Sequence, residues 1–343
     1  MREFKGFKKG INLGGWLSQC GEENYNDAHY SSFITEKDIE RIGSMGVDHV
    51  RLPIDCNVIM TEDGKFIENG FAYIDSCIDW CRKSSLGIIL DLHKTYGFVF
   101  DDENCCSFFT DTKLQDLFVS LWCRMSERYG NSNDIAFELL NEITDPKTAQ
   151  TWNRIAARTI SGIRKITADT KLIIGGIFNS SIYGMTLLDK PADENIVFTF
   201  HCYSPMIFTH QRAYWVSRMP SDFACCYPIP ENKARELSNN IFGADYDDEF
   251  DAKNTNDLSS DYFKRMFSRA VDIAEKFNVP LYCGEYGVID LAEPESTLRW
   301  FGDIHKAFES YDISRCAWTY KSKDYGLSGE HYSTIIDRLY KLL

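Results

Sequence analysis

Asp134-Ile-Ala-Phe-Glu-Leu-Leu-Asn-Glu142 is the stretch on which the fold turns. An almost wholly apolar run closes here in an amide and a carboxylate. Burying an unpaired carboxylate costs several kcal/mol or forces it to take up a proton. A parallel-sheet core strand resolves the conflict, because the C-terminal ends of such strands open onto an active-site mouth. Val279-Pro-Leu-Tyr-Cys-Gly-Glu285 has the same shape. Two strand-end glutamates far apart in sequence are the pair that glycoside cleavage requires.

Outward from these two runs, short β-rich segments alternate with helical patterns along the whole chain. The strands are expected at Lys9–Leu13, His49–Leu52, Gly87–Leu92, Ile135–Leu140, Lys171–Gly175, Ile196–His201, Pro280–Gly284 and Arg315–Trp318. Thr35 caps a helix that puts Ile39, Ile42 and Met45 on one face, and Tyr73–Cys81, Leu114–Tyr129 and Trp152–Ile166 carry similar stripes. Eight βα units in one α/β domain predict a (β/α)8 TIM barrel over residues 1–343. The stretch from Tyr203 to Leu258, after the sixth strand, is too long for a simple loop. It is polar, rich in proline, and carries the acidic run Asp245–Asp251. Its aromatics predict an ordered, partly helical subdomain or lid at about 205–258, with Thr209–Trp215 helical.

The net charge of −14 and the lack of a basic stripe argue against nucleic-acid or anionic-membrane partners. Met1–Gly10 has no apolar core of a leader, and nowhere do 18 apolar residues run together. A cytoplasmic protein is expected from the chain as it stands, an extracellular one if a leader has been removed. The 12 cysteines show no paired Cys-x-x-Cys or His cluster of zinc spacing, so free thiols are expected. Asp101-Asp-Glu103 and Asp245–Asp251 lack the Asp-x-Asp-x-Asp-Gly pattern of a calcium loop. No metal or cofactor is expected, and the chain is read as a monomer.

Chemistry gathers at the strand ends: Arg51, Asp91-Leu-His93, Asn141-Glu142, His201-Cys-Tyr203, Glu285 and Trp318. A glycosidic bond offers no electrophilic carbonyl, so cleavage needs one carboxylic acid held protonated and one carboxylate held ionised. An arginine beside one glutamate lowers its pKa and favours the nucleophile. Tyr and His donors orient it, an Asn beside the acid can bond the sugar 2-hydroxyl, and a Trp gives a pyranose ring a flat apolar floor.

Ile11-Asn-Leu-Gly-Gly-Trp16, Val50-Arg-Leu-Pro53, Asp91-Leu-His93, Leu140-Asn-Glu142, His201-Cys-Tyr203, Gly284-Glu-Tyr-Gly287 and Ala317-Trp318 resemble, in this order, glycoside hydrolase family 5. The opening motif and Phe208-Thr-His-Gln211 look most like its clostridial endoglucanase C branch, which carries a helical subdomain after the sixth strand. The resemblance implies a retaining mechanism with Glu142 as acid/base and Glu285 as nucleophile. It implies that Arg51 and Tyr203 hold Glu285 and that Asn141 positions the 2-hydroxyl. His93 and His201 would line subsite −1, with Trp318 as its floor. The substrate expected is a β-glucan oligo- or polysaccharide, cut at β-1,4 linkages in cellulosic or mixed-linkage chains. An exo-β-1,3-glucanase or β-glucosidase, a β-mannanase, a xyloglucanase and a non-catalytic carbohydrate-binding barrel are the alternatives.

Lys94 departs from the pattern, standing where many relatives have a second His, and would place a charge near one end of the substrate. Glu138, four residues before Glu142, shares its side of the sheet and reads as a structural acid paired with a polar neighbour. Phe208, Tyr214 and Trp215 fit distal sugar subsites and subdomain packing equally well.

Overall fold

The computed structural model describes residues 1–102, 104–243, 250–251, 253–322 and 324–343. Among them eight parallel strands close into a barrel in chain order. They are β1 Lys9–Asn12, β2 His49–Asp55, β3 Gly87–Lys94, β4 Ile135–Glu138, β5 Lys171–Ile174, β6 Ile196–Cys202, β7 Leu281–Tyr286 and β8 Ser314–Ala317. Each begins within a residue of where its apolar run predicts. β2 and β3 run past the expected Leu52 and Leu92, whereas β4 stops at Glu138 rather than Leu140. The chain nevertheless follows the barrel rim beyond β4. Leu139 N–H donates to the Ile173 carbonyl (3.2 Å) and Asn141 N–H to the Leu92 carbonyl (3.1 Å).

Side-chain alternation along the strands builds the interior in layers. The lowest is apolar: Ile89, Ala136, Ile173, Val197, Tyr282 and Cys316 cluster with Phe4 and Phe7 from the N-terminal segment. His49 lies in this region, its Nε2 3.0 Å from Tyr282 Oη. It fits because Gly10 has no side chain; a Cβ there would stand 2.3 Å from the imidazole. Two residues further along, the same strand faces carry Arg51, Asp91, Glu138 and Thr199, all buried. Charge therefore begins one layer up, inside the barrel.

The outer layer contains α1 Glu36–Gly43, α2 Glu68–Lys83, α3 Thr112–Tyr129, α4 Ala149–Arg164, α5 Glu231–Phe242, α6 Ser260–Phe277 and α7 Pro294–Tyr311. Thr35 opens α1 in a capping box with Asp38, its N–H donating to Asp38 Oδ2 at 2.9 Å. Tryptophans on these helices fix the rim. Trp122 of α3 donates to the Leu139 carbonyl (3.1 Å), Trp152 of α4 to Gly175 (3.1 Å) and Trp300 of α7 to Ser204 (3.0 Å). Each buried indole thus spends its N–H on a carbonyl close beyond a strand end.

Between β6 and α6, the described residues of 203–259 include a one-turn helix at Met206–Thr209, then α5, and a bridge pairing Pro230 with Asp257. The helix expected at Thr209–Trp215 is absent. Arg212 sits at φ 61°, a left-handed conformation that a right-handed helix cannot pass through. Phe208, Tyr227, Phe242 and Leu258 of this segment join the main core cluster around the barrel. Of the acidic runs, residues 244–249 and Glu103 lie outside the described residues. No described helix is long and apolar enough to cross a membrane. All the cysteines are free, and seven of them, including Cys77, Cys81 and Cys283, are buried.

Candidate active site

Arg51 of β2 is the centre of the site and has no exposed surface. Its Nε and Nη2 donate to the two oxygens of Glu138 (2.7 and 3.0 Å). Nη1 donates to Glu285 Oε1 (2.8 Å) and Asn12 Oδ1 (3.0 Å), and Nη2 to Asn141 Oδ1 (3.0 Å). Asp91 Oδ2 lies 3.0 Å from Nη2. One guanidinium therefore faces three buried carboxyl groups, and a buried ion is tolerable only with such pairing. Burial pushes the Asp91 carboxyl up to about 7 against the pull of Arg51. Glu138 is raised for the same reason.

Glu285 of β7 and Glu142, at the rim beyond β4, share this centre. Tyr203 donates its hydroxyl to Glu285 Oε2 (2.9 Å). His201 Nδ1 lies 2.7 Å from Glu142 Oε1 and 3.6 Å from Glu285 Oε2. A carboxylate oxygen of Glu142 and one of Glu285 stand within 4.8 Å of each other. Burial lowers the His201 pKa and so favours the neutral ring, whose Nδ1 faces oxygens of both glutamates. Burial, with Glu138 adding to it and Arg51 opposing, pushes the Glu142 carboxyl up to about 7. Glu285 is also raised by burial, although His201, Arg51 and Tyr203 all favour its charged form. Arg51 does pull the Glu285 carboxyl down, as expected of an arginine beside it, but burial, with the Glu142 carboxylate adding to it, outweighs that pull.

On the other side of Arg51, His93 Nδ1 meets Asp91 Oδ2 (2.7 Å) while its Nε2 faces the Gln19 amide (2.9 Å). The Asn141 amide nitrogen lies 3.5 Å from the same Nε2. The His93 ring runs parallel to Trp318, with an interplanar angle of 8° and centroids 5.7 Å apart. Gly14 lets the indole lie flat, since a Cβ there would come within 2.8 Å of it. All eight residues expected at the site from the sequence, Arg51, His93, Asn141, Glu142, His201, Tyr203, Glu285 and Trp318, come together.

The Lys94 ammonium pairs with Asp101 (3.5 Å) and lies over the Phe100 ring (5.5 Å). It ties down the loop after β3, and Phe100 in turn packs edge-on against His93. Asn12 and Gln19, which the sequence reading did not place, come from the β1 strand end and the loop beyond it. Aromatic rings continue outward from Tyr203 through Tyr325 (5.5 Å) to Trp215 (6.3 Å) and on to Tyr214 (4.8 Å). Beside Glu142, Phe178, Asn179 and Ser180 are all left-handed, and Phe178 and Tyr183 are exposed. Such a run costs roughly 1–2 kcal/mol per residue, and nothing in the sequence signals it. Glu142, His201 and Glu285 are also the one trio among the described residues whose ligand atoms lie close enough to share a metal ion.

A raised carboxyl pKa makes folding costlier as the pH rises. Below about pH 4.5 Glu142 is protonated in both states and costs nothing. From there to about pH 7 the folded chain holds a proton that the unfolded chain releases. Above pH 7 the full cost, roughly 2–4 kcal/mol, is present. Glu142→Gln is therefore expected to stabilise the protein against urea at pH 8 and to leave it unchanged at pH 4. Equal effects at both pH values would remove the carboxyl from this account.

A closed parallel barrel with two facing glutamates at its C-terminal mouth defines a glycoside hydrolase. The chain belongs to glycosyl hydrolase family 5: residues 9–324 match the family described as Cellulase (glycosyl hydrolase family 5). It is 40% identical over 324 residues to cellodextrinase A of Ruminococcus flavefaciens, covering 94% of this chain and 88% of that protein. It is 38% identical over 341 residues, 98% of both chains, to endoglucanase C of Acetivibrio thermocellus. Among solved structures, the clostridial cellulose synthase subunit Z of Clostridioides difficile superposes with a TM-score of 0.75 at 24% identity, covering 98% of this chain and 99% of that one. A mutant Cel5A of Thermotoga maritima in complex with cellobiose gives 0.77 at 22% identity, over 98% and 96%. These two likenesses bear on the fold alone.

Proposed function

We propose that the chain is a retaining endo-β-glucanase that hydrolyses β-1,4 linkages in cellulosic or mixed-linkage glucans, with Glu285 as nucleophile and Glu142 as acid/base. The observation that carries the reading is the spacing of the two carboxylates, within 4.8 Å oxygen to oxygen. A retaining pair stands about 5–5.5 Å apart, whereas inversion needs about 6.5–9.5 Å to admit a water. The names of the cellodextrinase and endoglucanase relatives support a β-glucan substrate.

Glu285 Oε attacks the anomeric carbon while Glu142, raised to about 7 and so holding its proton near neutrality, delivers that proton to the departing oxygen. Forming the glycosyl ester removes the charge on Glu285, a neighbour that had opposed ionisation of Glu142. Glu142 is then ready to take a proton from the water that hydrolyses the ester. In this reading Asn141, held by Arg51 (3.0 Å), bonds the sugar 2-hydroxyl, His93 and His201 line subsite −1, and Trp318 is its floor. We read residues 205–258 as a lid whose Trp215 and Tyr214 extend the cleft beyond one sugar.

Glu142→Ala is expected to lose about 10²–10⁴ in kcat/KM on cello-oligosaccharides but little in attack on an aryl glycoside whose leaving group needs no proton. Equal losses on both would take the acid role from Glu142. Chromatography of early products from lichenan and carboxymethylcellulose decides the rest. Release of monomer alone would support the exo-acting alternative.

A further inference from the structure

Glu138 is the side chain with the tightest hold on Arg51, yet it lies a layer below the sugar and touches no reacting atom. Its two oxygens take Nε and one Nη2 hydrogen (2.7 and 3.0 Å), a bidentate pairing that sets the plane of the guanidinium as well as its position. The remaining hydrogens are then assigned. Nη1 has nowhere to point except Glu285 and Asn12, and the second Nη2 hydrogen goes to Asn141 and Asp91. Asn12 closes the frame by donating to the Gly284 carbonyl (3.0 Å), one residue from Glu285.

We infer that Glu138 is a positioning residue for the hydrolysis: it aims Arg51 at Glu285 and, as an acid paired with Arg51 beneath both catalytic glutamates, sets the pH range in which they work. This rests on the retaining reading of Glu285. Other groups around Glu138 are Arg51 from β2, Asp91 from β3, Glu142 from the rim, His201 from β6, and Tyr282 and Cys316 from β7 and β8. Of these only Arg51 is a fixed cation, and burial disfavours the charged form of His201. Removing the Glu138 charge therefore leaves Arg51 less divided and lowers the cost of ionising both Glu142 and Glu285.

The sign follows for both limbs of the pH–rate profile. The acidic limb, where Glu285 must lose its proton, moves to lower pH. The alkaline limb, where Glu142 must keep its own, moves to lower pH as well. In the full-length chain, Glu138→Gln is expected to shift both limbs of kcat/KM for cellotetraose down by about one pH unit. Inactivation by an activated 2-deoxy-2-fluoro-β-cellobioside needs no proton donor, so its acidic limb isolates Glu285 and should shift alike. Glu138→Asp keeps the charge but is too short to hold both nitrogens. Its limbs should stay in place while kcat falls about tenfold.

Limbs that stay put in Glu138→Gln, whatever the rate, would overturn the proposal by reducing Glu138 to a structural counter-ion. If that variant does not fold, Glu138→Asp decides: wild-type kcat would end the positioning role. Failure of the fluoroglycoside to label the unchanged chain would sink the retaining reading alone, with the cellotetraose profile still deciding this one.

Discussion

Glu285→Gln is expected to lose at least about ten-thousand-fold in turnover, on aryl glycosides with activated leaving groups as well as on cello-oligosaccharides. The amide keeps the geometry of the site, because its oxygen can still accept from Arg51 or Tyr203, the two donors on Glu285. What it cannot do is attack the anomeric carbon. Unlike the loss in Glu142→Ala, this one does not depend on the leaving group, and steady-state kinetics on one activated and one unactivated substrate separates the two roles. A Glu285→Gln protein that retains even a tenth of wild-type activity would remove Glu285 from the mechanism.

Arg51→Met should be the most destabilising single change at the site. It leaves Asp91, Glu138 and Glu285 buried together with no cation between them. Breaking a buried ion pair by deleting one partner costs about 3–5 kcal/mol. The acids can escape part of that by taking up protons, so the loss should be larger at pH 8 than at pH 5. Urea denaturation at the two pH values measures it. Arg51→Lys keeps the charge but offers no planar fork, so it should recover part of the stability and little of the activity. Wild-type stability of Arg51→Met at pH 8 would show that the acids are not ionised around Arg51.

Strand positions were legible because parallel-barrel strands are buried on both faces and read as apolar runs that stop abruptly. Glu142 and Glu285 are legible because each closes such a run at the strand's C-terminal end, where the barrel opens. Partners brought in through space left no trace in local pattern. Asn12 sits inside a motif the sequence did single out, yet its grip on Arg51 and the Gly284 carbonyl depends on β1 lying beside β2 and β8. Gln19 reaches His93 from a loop position at φ 54° that no periodicity marks. Glu138 is legible as a paired acid from its place on the strand, but how completely it occupies Arg51 needs the distances. Thr209–Trp215 misled because polar and aromatic residues at helical spacing say nothing of the left-handed turn at Arg212.

The way the described residues of 203–259 are seated also limits how such an enzyme can be redesigned. Phe208, Tyr227, Phe242 and Leu258 belong to the same apolar cluster as the barrel wall, and Trp300 of α7 spends its indole N–H on the Ser204 carbonyl at the segment's root. The segment is therefore not a module resting on a finished barrel. Trimming it to widen the cleft would strip a face of α6 and α7 and leave a tryptophan donor unpaired. Transplanting it onto another barrel would require carrying the matching helix faces along with it.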